Sequence, residues 1–128
     1  MEKFLLVGVG GFIGSTLRYT LGGLVLRLKS GSLFPWETLA VNVIGCLVIG
    51  VLAGLSETRG LVAGTTRVFL FVGVLGGFTT FSSFGYETFE LLRDGQWGSA
   101  MTSVALQLVL GLGGVWAGHT LAWSLGGR

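Results

Sequence analysis

The sequence predicts an all-α membrane protein whose subunit crosses the bilayer four times. Only 11% of its 128 residues are charged, against about 25% in soluble domains. Apolar residues make up 51%, and glycine occurs 24 times. The few charges bracket long uncharged stretches. Residues 38–56, 68–86 and 95–127 hold no charge, and residues 4–26 hold only Arg18. A surface with so little charge suits lipid rather than water. About 20 apolar residues at 1.5 Å per residue cross a hydrocarbon core of about 30 Å. The spans are therefore read as about 4–27, 36–56, 65–93 and 97–124, in one transmembrane domain over 1–128. The connections are too short to hold a soluble domain.

The first span is too long for a cleaved signal, is interrupted by Arg18, and precedes no A-x-A site, so it is read as a helix of the protein. Gly10 and Gly14 share one face of it, which Arg18 and Gly22 continue. Gly50 and Gly54 in the second span and Gly114 and Gly118 in the fourth repeat the spacing. Small residues four apart let helix backbones approach closely in lipid. The stripes predict tight packing, including packing against a second subunit. Arg18 is the one full charge deep in a span. It either snorkels toward the interface or raises the potential of a water-filled vestibule for anions. Asn42 needs partners at membrane depth. It either bonds a neighbouring helix or offers an amide N–H to an anion, with Gly45 leaving space beside it.

The third span carries the most informative run, Gly76-Gly77-Phe78-Thr79-Thr80-Phe81-Ser82-Ser83-Phe84. Each glycine costs about 1 kcal/mol of helix propensity relative to alanine. A helix broken here frees carbonyls for a cation, and amides and hydroxyls for an anion. Non-helical backbone at that depth requires protein or a cavity to satisfy it. Phe81 and Phe84 share a helical face, and phenyl edges carry the positive part of the ring quadrupole. They either pack the interior or line a path for a small anion. Glu87 either marks the membrane surface or ends this polar face. In the fourth span Gln107 lines a pathway or bonds a neighbour, and His119, a lone imidazole near the end, is read as interfacial or hydrogen-bonded.

Several function classes drop out. No nucleophile–base pair or phosphate loop is present, so no enzyme is expected. Gly8 to Gly14 has no strand before it, as a dinucleotide loop requires. A net charge of +2 offers no dense basic face for nucleic acid. The single cysteine, Cys46, excludes an intrachain disulfide framework. Lys3, Arg59, Arg67 and Arg128 fall on one side of the membrane and Arg27, Lys29 and Arg93 on the other. Four against three gives the positive-inside rule little to act on. The chain inserts either in one orientation or in both, and the second case permits an antiparallel dimer with an in-plane two-fold axis.

Gly10-Gly11-Phe12-Ile13-Gly14 with Leu17-Arg18-Tyr19, then Thr38 to Gly45 around Val41-Asn42, then Gly76 to Phe84, resemble the Fluc (CrcB) family of fluoride channels. The likeness runs in order through residues 8–90, and the fourth span matches in hydropathy and length. The resemblance implies an antiparallel homodimer of four-helix subunits, with the third helix broken mid-membrane and two fluoride pathways. It implies that Asn42, Phe81 and Phe84 line the pathways, that Ser82 adds a hydroxyl, and that Arg18 and Glu87 match the family's arginine and pore-end acid. It implies a structural sodium ion on the dimer axis, held by the carbonyls of Gly76 and Thr79. It places the chain in the bacterial cell inner membrane, exporting fluoride passively. Gly85 and Glu37 depart from the usual pattern, as do Ser103, Gln107 and Gly111, where family members often carry Tyr, Ser or Thr.

Two other readings compete. A small dual-topology proton-coupled exporter of the small multidrug-resistance type needs an embedded acid, and the first span has none. A non-transporting assembly subunit leaves the polar run of the third span without a purpose.

Overall fold

The computed structural model describes residues 1–126 and is entirely helical. Arg128, counted in the charge balance above, lies outside the described residues. Helix α1 is Glu2–Leu28 and α2 is Trp36–Arg59. The third span is composite: α3 (Gly64–Arg67), a π-helical stretch Val68–Leu75, α4 (Gly76–Phe78) and α5 (Phe81–Arg93). Helix α6 is Trp97–Gly126. Four helical spans are long and apolar enough to cross a membrane.

Each span runs slightly past its sequence-based bounds, and in α1 and α2 the added residues include the end charges Glu2, Lys3, Glu57 and Arg59. Glu57 and Arg59 form the last turn of α2 rather than a loop. That helix stops at Gly60, whose φ of 63° is the left-handed conformation common at helix C-termini. At the start of α2, Trp36 donates from Nε1 to Ser32 Oγ at 3.2 Å and lies beneath Lys29 Nζ at 5.2 Å. This amphipathic cluster suits a membrane–water boundary.

Packing follows the glycine stripes, and the contacts reveal the directions. Gly10 meets Gly73, Gly14 meets Val74 and Phe78, and Arg18 meets Gly77. Both numbers rise together, so α1 and the third span run parallel. Gly50 against Val115 and Gly54 against Ala122 show the same for α2 and α6, the most extensively packed pair. A Cβ on Gly10 would sit 2.8 Å from Gly73 Cα, and one on Gly54 would sit 2.7 Å from Ala122 Cβ. The stripes therefore close helix–helix contacts within this chain, as their spacing predicts.

The break also differs in place from the glycine pair. Gly76 and Gly77 are helical, and the extended residues are Thr79 (ψ 157°) and Thr80 (φ −148°, ψ 111°). Gly77 serves close approach, since a Cβ there would be 2.6 Å from the Gly11 carbonyl oxygen. The helix restarts because Thr80 is an N-cap: its Oγ1 accepts from Ser83 N at 3.2 Å.

Candidate functional site

The break is held from two sides. From α1, Arg18 Nε donates to the Gly77 carbonyl at 3.2 Å. From α2, Asn42 clasps the backbone of Thr80. Its Oδ1 accepts from Thr80 N at 2.8 Å, and its Nδ2 donates to Thr80 O at 3.1 Å. Nδ2 also donates to Gln107 Oε1 on α6, at 3.2 Å. Both amide hydrogens of Asn42 thus have acceptors inside the protein. Thr80 has two roles that its place in the polar run does not announce, because its side chain caps α5 while its backbone meets Asn42.

These bonds determine which carbonyls leave the helical ladder. In an unbroken helix, Gly76 O would accept from Thr80 N, and Thr79 O from Ser83 N. Here Thr80 N turns to Asn42, and Ser83 N turns to Thr80 Oγ1. Among the described residues, four carbonyls lose their ladder donors at the break, those of Gly76, Gly77, Phe78 and Thr79; Arg18 takes that of Gly77, while Gly76 is exposed and Thr79 is half-buried.

Phe81 and Phe84 lie on one face of α5 as their spacing predicts, with centroids 5.5 Å apart and planes at 65°, edge to face. They line a cleft of about 370 Å³ together with Asn42, Gly45, Thr79 and Gln107. Phe81 is 82% exposed on the single chain, so α5 presents its ring outward. Ser82 is exposed, with Oγ 3.2 Å from Thr80 Oγ1, and does not line this cleft.

A second cavity of about 350 Å³ is lined by Arg18, Tyr19, Thr38, Thr80, Ser83 and Glu87. Thr80 borders both cavities. Among the described residues no carboxylate lies within salt-bridge distance of Arg18. Glu87 is half-buried and accepts from Thr38 Oγ1 at 2.7 Å, while its Oε2 is buried without a partner. It also borders a third cavity, of about 280 Å³, at the α1–α2 connection with Glu37 and Glu90.

Sequence reasoning does not single out Thr38 and Ser83 as lining residues. Thr38 stands one turn before Asn42, and Ser83 follows Ser82 in the polar run, so periodicity carried the signal. Ser103 is 1% exposed with an unpartnered hydroxyl, and Gly111 is buried against Cys46. His119 is hydrogen-bonded, as expected of it: its Nε2 lies 2.9 Å from Glu57 Oε2, far along α2 from the cleft.

The family model described as CrcB-like protein, Camphor Resistance (CrcB), matches residues 5–119. A protein of Methylobacillus flagellatus named fluoride-specific ion channel FluC is 50% identical over 121 residues, 94% of each chain. One of the same name from Opitutus terrae is 50% identical over 127 residues, covering 98% of this chain and 96% of its own. Another, from Thermus thermophilus, is 49% identical over 127 residues, covering 99% of this chain and all of its own. The match reaches into all four spans and includes every residue of the break and its clasps, and the chain belongs to the CrcB family.

Proposed function

We propose that this chain forms a fluoride-selective channel that lets fluoride leave the cell passively. The observation that carries the reading is the near-complete match to relatives named fluoride-specific ion channels, on a chain with edge-to-face phenyl rings beside a polar break. Arg18 supplies an unpaired positive charge to the vestibule it shares with Thr38 and Ser83. Beyond Thr80 lies the cleft of Asn42, Phe81 and Phe84. Phenyl edges attract a small anion weakly, and weak attraction lets it leave again. Glu87 borders the vestibule, and the exposed Ser82 reaches the path only through its contact with Thr80 Oγ1. No covalent step is involved.

The working unit is an antiparallel homodimer in the bacterial inner membrane. The near-even charge balance supports insertion in both orientations, and the outward-facing Phe81 supports a pathway completed by a second copy. An in-plane two-fold axis sets two breaks face to face. The Gly76 and Thr79 carbonyls of both chains then hold one sodium ion, for which a neutral oxygen cage is suitable. The diverted Thr80 and Ser83 amides support that ligand set. Bound there, the ion would supply a positive partner for carbonyl dipoles that have lost their N–H donors.

Proteoliposomes loaded with potassium fluoride test the reading. They should empty when valinomycin dissipates the voltage, while chloride-loaded ones stay full. Equal fluoride and chloride efflux, or none of either, overturns it.

A further inference from the structure

We propose that Gln107 is a positioning residue: it sets the geometry of the helix break through Asn42 without touching the broken backbone itself. The inference deepens the channel reading and relies on it only for the flux arm of its test. Donor chemistry settles the orientation of both amides. Thr80 N carries a hydrogen and cannot accept, so the Asn42 atom 2.8 Å away must be the oxygen. That orients the whole amide and turns Nδ2 toward Thr80 O and Gln107. Nδ2 can only donate, so the Gln107 atom facing it must be Oε1. The Thr80 N–H thus fixes the Asn42 amide, and Asn42 Nδ2 assigns Oε1 as the Gln107 atom facing it, which leaves Gln107 Nε2 buried without a partner among the described residues.

The consequence is a chain of dependence across three helices. Gln107 on α6 holds the second Nδ2 hydrogen of Asn42 on α2, at 3.2 Å. Held by both hydrogens, the Asn42 amide keeps Thr80 N and O in its clasp. Thr80 in turn starts α5, and the first residue of α5 is Phe81. Without Gln107 Oε1, one Nδ2 hydrogen loses its acceptor and the amide can rotate about its χ2 bond. The clasp then loosens where the helix has no ladder bond to replace it.

Amide exchange at Thr80, read by NMR on the full-length protein in lipid nanodiscs, is the decisive measurement. Gln107→Leu should speed exchange at Thr80 about tenfold, the size of one net hydrogen bond, and leave Ile13 in α1 unchanged. Gln107→Glu keeps an oxygen acceptor and should restore native protection at Thr80. Fluoride efflux from liposomes should fall about tenfold in Gln107→Leu with the assembly intact by size-exclusion chromatography. Should leucine disrupt assembly, Gln107→Met makes the same comparison with an unbranched side chain. Unchanged Thr80 exchange in the leucine or methionine variant overturns the proposal, as does a glutamate variant as loose as leucine. Exchange at Thr80 can be measured even if the wild-type chain passes no fluoride, so failure of the channel reading remains distinguishable.

Discussion

Replacing Asn42 by aspartate changes one NH2 group to oxygen, and the structure says what that removes. The oxygen that accepts from Thr80 N at 2.8 Å is kept. The donations to Thr80 O at 3.1 Å and to Gln107 Oε1 at 3.2 Å are lost, and each becomes an oxygen–oxygen contact. Leaving a buried acceptor without its donor costs about 1–3 kcal/mol, so the two together cost roughly 2–6 kcal/mol of local stability. A carboxylate in the cleft also repels an anion. Unit charges about 4 Å apart interact by about 4 kcal/mol at an effective dielectric of about 20. At about 1.4 kcal/mol per decade, that repulsion alone slows fluoride passage roughly a thousandfold. Valinomycin-triggered efflux from fluoride-loaded liposomes measures the rate, and size-exclusion chromatography monitors assembly. An assembled Asn42→Asp protein that empties its liposomes within about threefold of the native rate, far short of the roughly thousandfold slowing, would refute both the clasp and the placement of the anion beside it.

Phe81→Ile and Phe84→Ile should each slow fluoride efflux at least about tenfold with assembly intact, because aliphatic groups lack the positive ring edge; native rates in both would remove the rings from the pathway. Gly118→Ala should destabilise the fold by about 1–3 kcal/mol, the usual cost of overpacking, since its Cβ would fall on the Leu47 carbonyl and lie 2.9 Å from Val51 N. Gly113→Ala, with open space around the new Cβ, should melt as the native protein does in detergent, and equal melting of the two variants would contradict the α2–α6 contact. Exhaustive replacement of sodium by a large organic cation should lower fluoride flux slowly and weaken the dimer; unchanged flux and dimer stability would argue against the carbonyl site. Cysteine tags at either terminus should label from both sides of the membrane in one population, and labelling from a single side would exclude dual insertion.

The four spans were legible in the sequence because lipid imposes one coarse rule. A helix must carry about 20 residues with almost no charge, and residues 38–56, 68–86 and 95–127 meet it without exception. That Phe81 and Phe84 share a face was legible too, since three-residue spacing places two rings on one side of a helix; their edge-to-face geometry came from the structure. That the third span breaks followed from its polar run, because helix propensity is a local property. Where it breaks did not follow. Propensity points to Gly76-Gly77, yet both glycines stay helical, with Gly77 packed on Gly11 of α1, and the ladder opens at Thr79 and Thr80. The deciding partner is Asn42, 38 positions earlier in the chain. Its amide competes for the Thr80 N–H only after α2 has been brought alongside. The glycine stripes divide in the same way. Spacing announces that backbones will meet, but the partner depends on which helices lie side by side: Gly10 on Gly73, Gly50 on Val115. Local energetics and the solvent therefore determined the spans, the ring face and the existence of a break. Contacts between residues distant in sequence decided its position, because a hydrogen bond between helices has no signature along either one.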